Sequence, residues 1–272
     1  MVPNLLEQDI TDILQTALTE ASDDLLVIDP TETTIRALVD VATEFDGELP
    51  AVRLLAAERA LKETMEDFLV ASRAADLIDA DRLSIRTLAE PAANALLVSE
   101  ASVQALVAAG DRIGALTTDD DAFVGSARES YDAQWEAAEP FSLRTPPISR
   151  VRDTLASDIS EAVRTDFDAV LADLDTARGD GDGLDEVTVS LLVAARNEVL
   201  LYDISKWGED VGIASKATFS RTKTRLEDMG LIATEKVPID VGRPRLRLQL
   251  GDDQLREADA DELADISQQL VA

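Results

Sequence analysis

The chain has 272 residues, with 55 Asp and Glu against 25 Lys and Arg, a formal net charge of −30, no Cys and no His. Without Cys there is neither a disulfide nor a thiolate metal site, and without His the commonest general base and transition-metal ligand are missing. An apolar share of 46% excludes a disordered chain, and the length holds two modest domains with cores of their own.

Leu5 to Ala21 carries a helical stripe (Leu6, Ile10, Ile13, Leu14, Ala17, Leu18). Leu25 to Ile28 is a short buried strand stopped by Asp29-Pro30. Thr31 to Phe45 returns to helical spacing, Val52 to Ala56 is a second strand, and Glu58 to Ala80 is one long helix. Leu83 to Leu88 alternates like a strand. Ala95 to Val98, Val103 to Ala108 and Arg112 to Leu116 are strands joined by links short enough for antiparallel hairpins. A helix capped at Asp119 to Asp121 runs through Trp135. The expectation is an α/β domain over residues 1–145, built of βαβ units plus an antiparallel meander, that serves an effector or dimerisation role.

Pro140 to Pro147 reads as a linker, and residues 146–183 as a helical linker with helices at Ser149 to Ala156 and Glu161 to Thr176. The stripe Val163, Phe167, Val170, Leu171 and Leu174 suits either a dimer interface or packing on the α/β domain. Residues 184–251 then carry three helical runs (Val187 to Glu198, Tyr202 to Asp210, Lys216 to Met229) and two strands (Leu231 to Val237, Leu246 to Leu250). Gly212 suits the inter-helix turn, Ser215 the N-cap of the third helix and Gly230 its end. That order is a winged helix-turn-helix, in which the third helix enters the DNA major groove and the hairpin reaches along the backbone. Residues 252–272 add a final helix, about Asp261 to Leu270.

Charge argues for the same stretch. Residues 1–150 are net −18 and residues 151–184 net −6, whereas residues 185–250 hold ten acids and ten bases. From Lys216 to Arg247 there are eight bases and four acids, a surface that phosphates would not repel. On the third helix, Ser215, Lys216, Thr218, Ser220 and Arg221 occupy the turns where base readers sit, with Arg221 the candidate for a bidentate guanine contact. Lys223, Thr224 and Arg225 are candidate phosphate contacts, and Arg243, Arg245 and Arg247 belong to the wing. For any one of these bases the bland alternative is a solvated charge. For Arg245 or Arg247 it is a cross-strand pair with Glu235. Phe219, Leu226 and Leu231 should face the core. Lys223, four residues after Phe219, is a misfit there unless Thr222 is the inner residue.

No P-loop, GxGxxG after a strand or GxSxG is present, and no cofactor or metal is expected. The run Asp180-Gly181-Asp182-Gly183 fails the calcium-loop pattern, because Leu184 stands where an oxygen ligand is needed. In the first domain Asp29, Thr31, Thr33 and Thr34 lie where a strand hands over to a helix N-terminus. With Arg53 and Arg86 they are the candidate site for a small anionic metabolite such as a sugar phosphate. The alternative is an N-cap and two salt-bridged arginines.

Carboxylates are spread along nearly every segment, and five Lys stand against twenty Arg. An evenly acidic, Lys-poor chain suits very high salt, where a Debye length of about 3 Å at 1 M screens its self-repulsion; the alternative is an ordinary acidic cytosolic protein. MVPNLLEQDI has no basic n-region or apolar h-region and no apolar run approaches ~20 residues, so a cytoplasmic protein without membrane contact is expected.

The stretches NLLEQDITDIL, TEFDGELPAVRLLA, FSLRTPPISRVRDTLA and TARGDGDGLDEVTVSLLVAARNEVLLYDISKWGEDVGIASKATFSRTKT resemble the haloarchaeal TbsP family of transcriptional regulators over essentially the whole chain. The N-terminal pattern is more loosely similar to effector domains of TrmB-type sugar-responsive regulators. The resemblance implies a sequence-specific archaeal DNA-binding regulator linked to sugar metabolism, and carries over no ligand residues. The resulting reading is a dimeric regulator on promoter DNA. Its rivals are an adaptor whose winged helix binds the transcription machinery, and an enzyme built on the α/β domain.

Overall fold

The structure, a computed structural model, describes residues 9–110, 112–174, 176–178, 184–238 and 244–271, with side chains described as far as Ser267 in the last helix. It divides into two compact units. Residues 1–66 and 73–143 form one, and residues 67–72 and 144–272 form the other.

The first unit opens with α1 (Ile10–Glu20), whose N-cap Asp9 accepts from the Thr11 amide. Strands β1 (Asp24–Ile28), β2 (Ala51–Ala57) and β3 (Leu83–Leu88) pair in parallel, Leu26 opposite Arg53 and Leu55 opposite Arg86. Parallel strands need crossovers. These are α2 (Glu32–Thr43) and the pair α3 (Glu58–Met65) and α4 (Phe68–Asp79). A meander follows, β4 (Leu96–Val98), β5 (Val103–Ala109) and β6 (Arg112–Thr118), and its first strand runs antiparallel to β1. After α5 (Asp121–Ala137), a two-residue β7 (Glu139–Pro140) closes the order β6-β5-β4-β1-β2-β3-β7. The expected βαβ units and meander are therefore both present.

Both faces of the central strands are covered, which is why LLVI in β1 is an unbroken apolar run. Leu26, Ile28, Leu55 and Leu88 meet Val124 and Trp135 of α5. Arg53 fastens that helix to the sheet: its guanidinium pairs with Asp24 and, at 2.9 Å, with Asp132, while Arg128 reaches Asp24 at 2.8 Å.

In the second unit α6 (Ile148–Thr154), a π-helical turn (Leu155–Ile159) and α7 (Glu161–Asp173) precede α8 (Glu186–Arg196), α9 (Leu201–Val211) and α10 (Lys216–Asp228). The hairpin β8 (Ile232–Val237) and β9 (Arg245–Leu250) and the helices α11 (Asp253–Glu257) and α12 (Leu263–Val271) complete it. The helices of the presumed linker are part of this fold: Val151, Leu155, Val163, Phe167 and Val170 share one core with Leu191, Trp207, Phe219 and Leu248. The stripe read as either a dimer interface or a packing face is thus consumed in the core of its own unit. Trp207, buried in that core, satisfies its indole N–H on the Thr154 hydroxyl at 2.9 Å.

Two further readings need correction. The helix expected from Glu58 to Ala80 is two helices, because Asp67 interrupts it. Its fully buried carboxylate accepts from the Leu69 amide at 3.0 Å, as an N-cap does, and from the Ala177 amide at 3.2 Å. The presumed linker from Pro140 begins as strand, since Pro140 lies opposite Arg86 and the Phe141 amide donates to Ile85.

Candidate nucleic-acid interface

Three helix caps set the geometry. Asp185 caps α8 through the Thr188 amide at 2.6 Å. Gly212, at φ +96°, ends α9 and turns the chain, a backbone state that other residues reach at a cost. Ser215 caps α10 through the Thr218 amide at 3.2 Å. Between α8 and α9, Leu200 bridges Arg247 and the Leu248 amide donates to Val199, which ties that segment to the two-stranded wing.

The rotation of α10 follows from its apolar residues. Phe219, Thr222 and Leu226 are buried, with Leu231 beyond. At Gly208 on α9 a Cβ would stand 2.3 Å from two Phe219 ring carbons, so only glycine admits this approach of α9 to α10. Lys216, Ala217, Ser220, Arg221, Thr224, Arg225 and Asp228 remain exposed. The outward face is Ala217, Ser220, Arg221 and Thr224, with no carboxylate before Asp228.

Each expected contact residue can now be placed. The Ser215 hydroxyl is occupied by its cap and lies 3.1 Å from the Thr218 hydroxyl, which in turn accepts from Arg221 Nη2 at 3.3 Å. Thr218 is half-buried and orients Arg221 more than it presents itself. Lys216 pairs with Glu209 at 2.7 Å, and that hydrogen bond raises the lysine's pKa and lowers the carboxyl's. Thr224 bonds back to the Ser220 carbonyl, and Arg225 donates to Thr188 on α8.

Lys223 does not stand among the phosphate contacts. Its side chain is 12% exposed and donates to Glu227 at 2.6 Å, while Thr234 of β8 donates to the other carboxylate oxygen at 2.7 Å. Burial alone would raise the Glu227 carboxyl. The bonds from Lys223 and Thr234 outweigh it and hold that group below its ordinary value. The trio ties the recognition helix to the wing, and Thr222 is the inner residue.

On the wing, Arg245 stacks 4.2 Å from the Tyr202 ring centroid and reaches Asp203 at 3.4 Å. Arg247 lies 3.8 Å from Glu235 and 3.9 Å from Glu198, the cross-strand pair that was the alternative for it. Arg243 lies outside the described residues. Three residues escaped the sequence reading. Tyr202 carries the Arg245 stack, a pairing with no local signal. Lys236 is exposed on β8 beside the loop, although strand alternation groups it with the buried Ile232. Arg144 borders a small cleft with Gly212 and Ile213 of the inter-helix turn, within a segment read only as linker.

The candidate anion site in the first unit is not assembled. Asp29, held at φ +43°, spends a carboxylate oxygen on the Ala92 amide at 2.8 Å. Thr31 caps α2, with Thr34 buried beside it, and Thr33 faces solvent. Arg53 is paired as described, and Arg86 lies 4.9 Å from the Trp135 ring centroid and donates to that residue's carbonyl at 2.6 Å. Both arginines serve to seat α5. Nearby, at the ends of β1 and β3, an open cleft of about 530 Å³ is lined by Leu88, Glu90, Pro91, Tyr131 and Gln134. Burial, with the nearby Asp29 charge, raises the Tyr131 phenol above its ordinary value.

A helix-turn-helix with a capped, outward-facing second helix and a β-wing defines a nucleic-acid-binding module of the winged-helix class. Residues 147–268 match the transcriptional regulator TbsP-like C-terminal HTH domain, and residues 2–146 match the transcriptional regulator TbsP-like N-terminal domain. The chain therefore belongs to the TbsP-like family of transcriptional regulators. No curated protein matches it. Among solved structures it is similar to TrmBL2, an archaeal chromatin protein described as showing a novel mode of DNA binding. That likeness has 17% identity over 52% of this chain and 56% of that one, at a TM-score of 0.37. Nuc, a phospholipase D family member from Salmonella typhimurium, overlaps 51% of this chain and 99% of its own at 9% identity and TM-score 0.35. NucT from Helicobacter pylori covers the same shares at 14% identity and 0.35. Overlaps this loose decide nothing about function. Among the described residues no helix is long and apolar enough to cross a membrane.

Proposed function

We propose that the chain is a sequence-specific regulator that lays α10 in the major groove of promoter DNA. Arg221, oriented by Thr218, then meets a guanine edge, and Ser220 and Thr224 flank it. Lys216, Arg225, Lys236, Arg243 and Arg245 serve the phosphates. The observation that carries this reading is the outward face of α10, whose exposed positions from Ala217 to Thr224 hold no carboxylate in a chain of net charge −30. Two copies would read a pseudo-palindromic site. The family resemblance supports sugar-metabolism genes as the targets, and the even acidity supports a cytoplasm at high salt, as in halophilic archaea.

The proposal extends to a small metabolite held by the first unit. What supports it is the cleft beside β1 and β3, the end of a parallel sheet where ligands bind in such folds. Its lining includes Glu90 and no base, which favours an uncharged hydroxylated ligand over a sugar phosphate.

Selecting bound sites from a random duplex library at molar KCl tests the main reading. The expected result is an enriched motif that Arg221→Ala loses. Enrichment of no motif, with retention of transcription machinery from the same cells, would favour the adaptor instead.

A further inference from the structure

In a chain with 55 acids among 272 residues, the places without carboxylates are informative. The longest stretch lacking Asp and Glu is 211–226, which holds the inter-helix turn and the outward face of α10. The next longest is 140–152, PFSLRTPPISRVR, thirteen residues that include Arg144, Arg150 and Arg152. The two are far apart in sequence, yet the fold brings them together. Arg144 borders a cleft with Gly212 and Ile213, the turn that leads into α10. From Ile213 to the cap Ser215 is two residues, at most about 7 Å of chain.

Arg144 and Arg150 are both exposed, and among the described residues neither guanidinium is engaged by a carboxylate. Their neighbour Arg152, by contrast, pairs with Asp168 on α7 at 2.6 Å. Arg150 stands one turn before Thr154, whose hydroxyl accepts from Trp207 of α9, so both arginines flank that helix. Of the nearby acids, Asp210 pairs with Lys206 at 2.5 Å, with Asp158 also near that lysine, and Glu209 pairs with Lys216. Glu186 lines the cleft half-buried and binds neither arginine. Asp153 follows Arg150 without pairing to it, and residues 140–153 still hold three bases against one acid. Arg245 stacks on Tyr202 in the first turn of α9, whereas Arg144 lies beside Gly212 just past its last turn. The ten residues between rise about 15 Å.

We infer that Arg144 and Arg150 form a second phosphate clamp, gripping the DNA backbone beside the turn between α9 and α10 while the wing grips it at the other end of α9. This rests on the reading of α10 as the recognition helix. The major groove is about 12 Å wide, so the start of a helix inside it lies between two phosphate walls. A base beside the preceding turn therefore meets a wall and not a base edge. Arginine suits that place, because its planar fork of donors matches phosphate oxygens. Such contacts fix the register of α10 on the duplex and carry no sequence information of their own.

Phosphate ethylation interference on the selected duplex, with the full chain in molar KCl, tests this. The parent should show flanking phosphates whose interference disappears with Arg144→Gln and with Arg150→Gln. Each substitution should weaken specific and random duplex alike, by about two- to five-fold. Each should also move the slope of log affinity against log salt by about 0.9 toward positive values. Arg144→Lys should keep most of the affinity, and Arg112→Gln, an exposed arginine of the first unit, should change nothing. Urea midpoints should match the parent; if Arg144→Gln lowers its own, Arg150→Gln on the exposed side of α6 decides. Interference, affinity and slope all unchanged in both variants overturns the clamp, and leaves α10 as the reader where Arg221→Ala still loses the motif. A loss confined to the specific duplex overturns the clamp as well, since it would make these arginines base readers. Weakening on every duplex, with the motif surviving Arg221→Ala, would count against the α10 reading and not against the phosphate contacts.

Discussion

Gly208→Ala puts a methyl where the structure leaves no room. The added Cβ would lie 2.3 Å from two ring carbons of Phe219, about 1.1 Å inside the 3.4 Å at which ordinary contact begins. Phe219 is fully buried, so the ring has no solvent-side rotamer to escape to, and α10 must move instead. Overpacking of this size costs about 1–3 kcal/mol, here at the upper end. Alanine in mid-helix returns about 1 kcal/mol of propensity over glycine. The net expectation is a loss of about 2 kcal/mol in urea unfolding, roughly a 30-fold fall in the folded-to-unfolded ratio. A displaced α10 should also weaken specific DNA binding in fluorescence anisotropy, although residue 208 touches no base in the proposed complex. A Gly208→Ala protein more stable than the parent by about 1 kcal/mol would mean that propensity prevails and that the α9–α10 approach is wrong.

Arg221→Ala should lose about 1–3 kcal/mol of specific affinity, roughly 5- to 150-fold, with binding to random duplex little changed; equal losses on both would demote Arg221 to a phosphate contact. Lys223→Ala should do the reverse, costing about 1 kcal/mol of stability and leaving affinity within about two-fold, because its ammonium is spent on Glu227. Glu227 has a native pKa below its unfolded value, so its contribution is complete above about pH 4.3 and is lost as pH falls through the depressed native value. Glu227→Gln should therefore flatten the acid limb of the stability curve, and an unchanged limb would deny the trio its role. Affinity should change little, or rise, between about 0.5 and 2 M KCl, because cations must be taken up between acidic protein and DNA; the steep loss usual for phosphate-driven binding would refute the high-salt reading.

Much of the DNA-binding unit was legible because its punctuation is local. Ser215, Gly212 and Gly230 set the ends of α9 and α10 through their own backbone chemistry, and Phe219 and Leu226 at seven-residue spacing fixed the face of α10. Lys223 was the one discord, and its resolution needed Glu227 and Thr234, a turn and a strand away. What could not be read was which surface each stripe buries against. The α7 stripe has the spacing of an interface and the spacing of a core, and only the fold places it beside Leu191 and Phe219. Arg53 and Arg86 failed likewise: a strand-borne arginine looks the same from sequence whether it meets a ligand or seats α5 over the sheet.

The break at Asp67 bears on how this chain can be divided. The six residues from Asp67 to Ser72 belong to the second unit, and Phe68 and Leu69 lie in its core. A gene fragment starting at Arg144 would therefore encode a winged helix lacking two of its own core side chains. On the ribosome those side chains emerge more than seventy residues before the helices they join, so the second unit cannot finish folding without a loan from the first half of the message. Recombination between relatives should respect the same boundary. An exchange at the apparent junction near residue 144 would leave Phe68 and Leu69 in a foreign core, whereas one placed upstream of Asp67 would keep that core together but divide the first unit's sheet between β2 and β3.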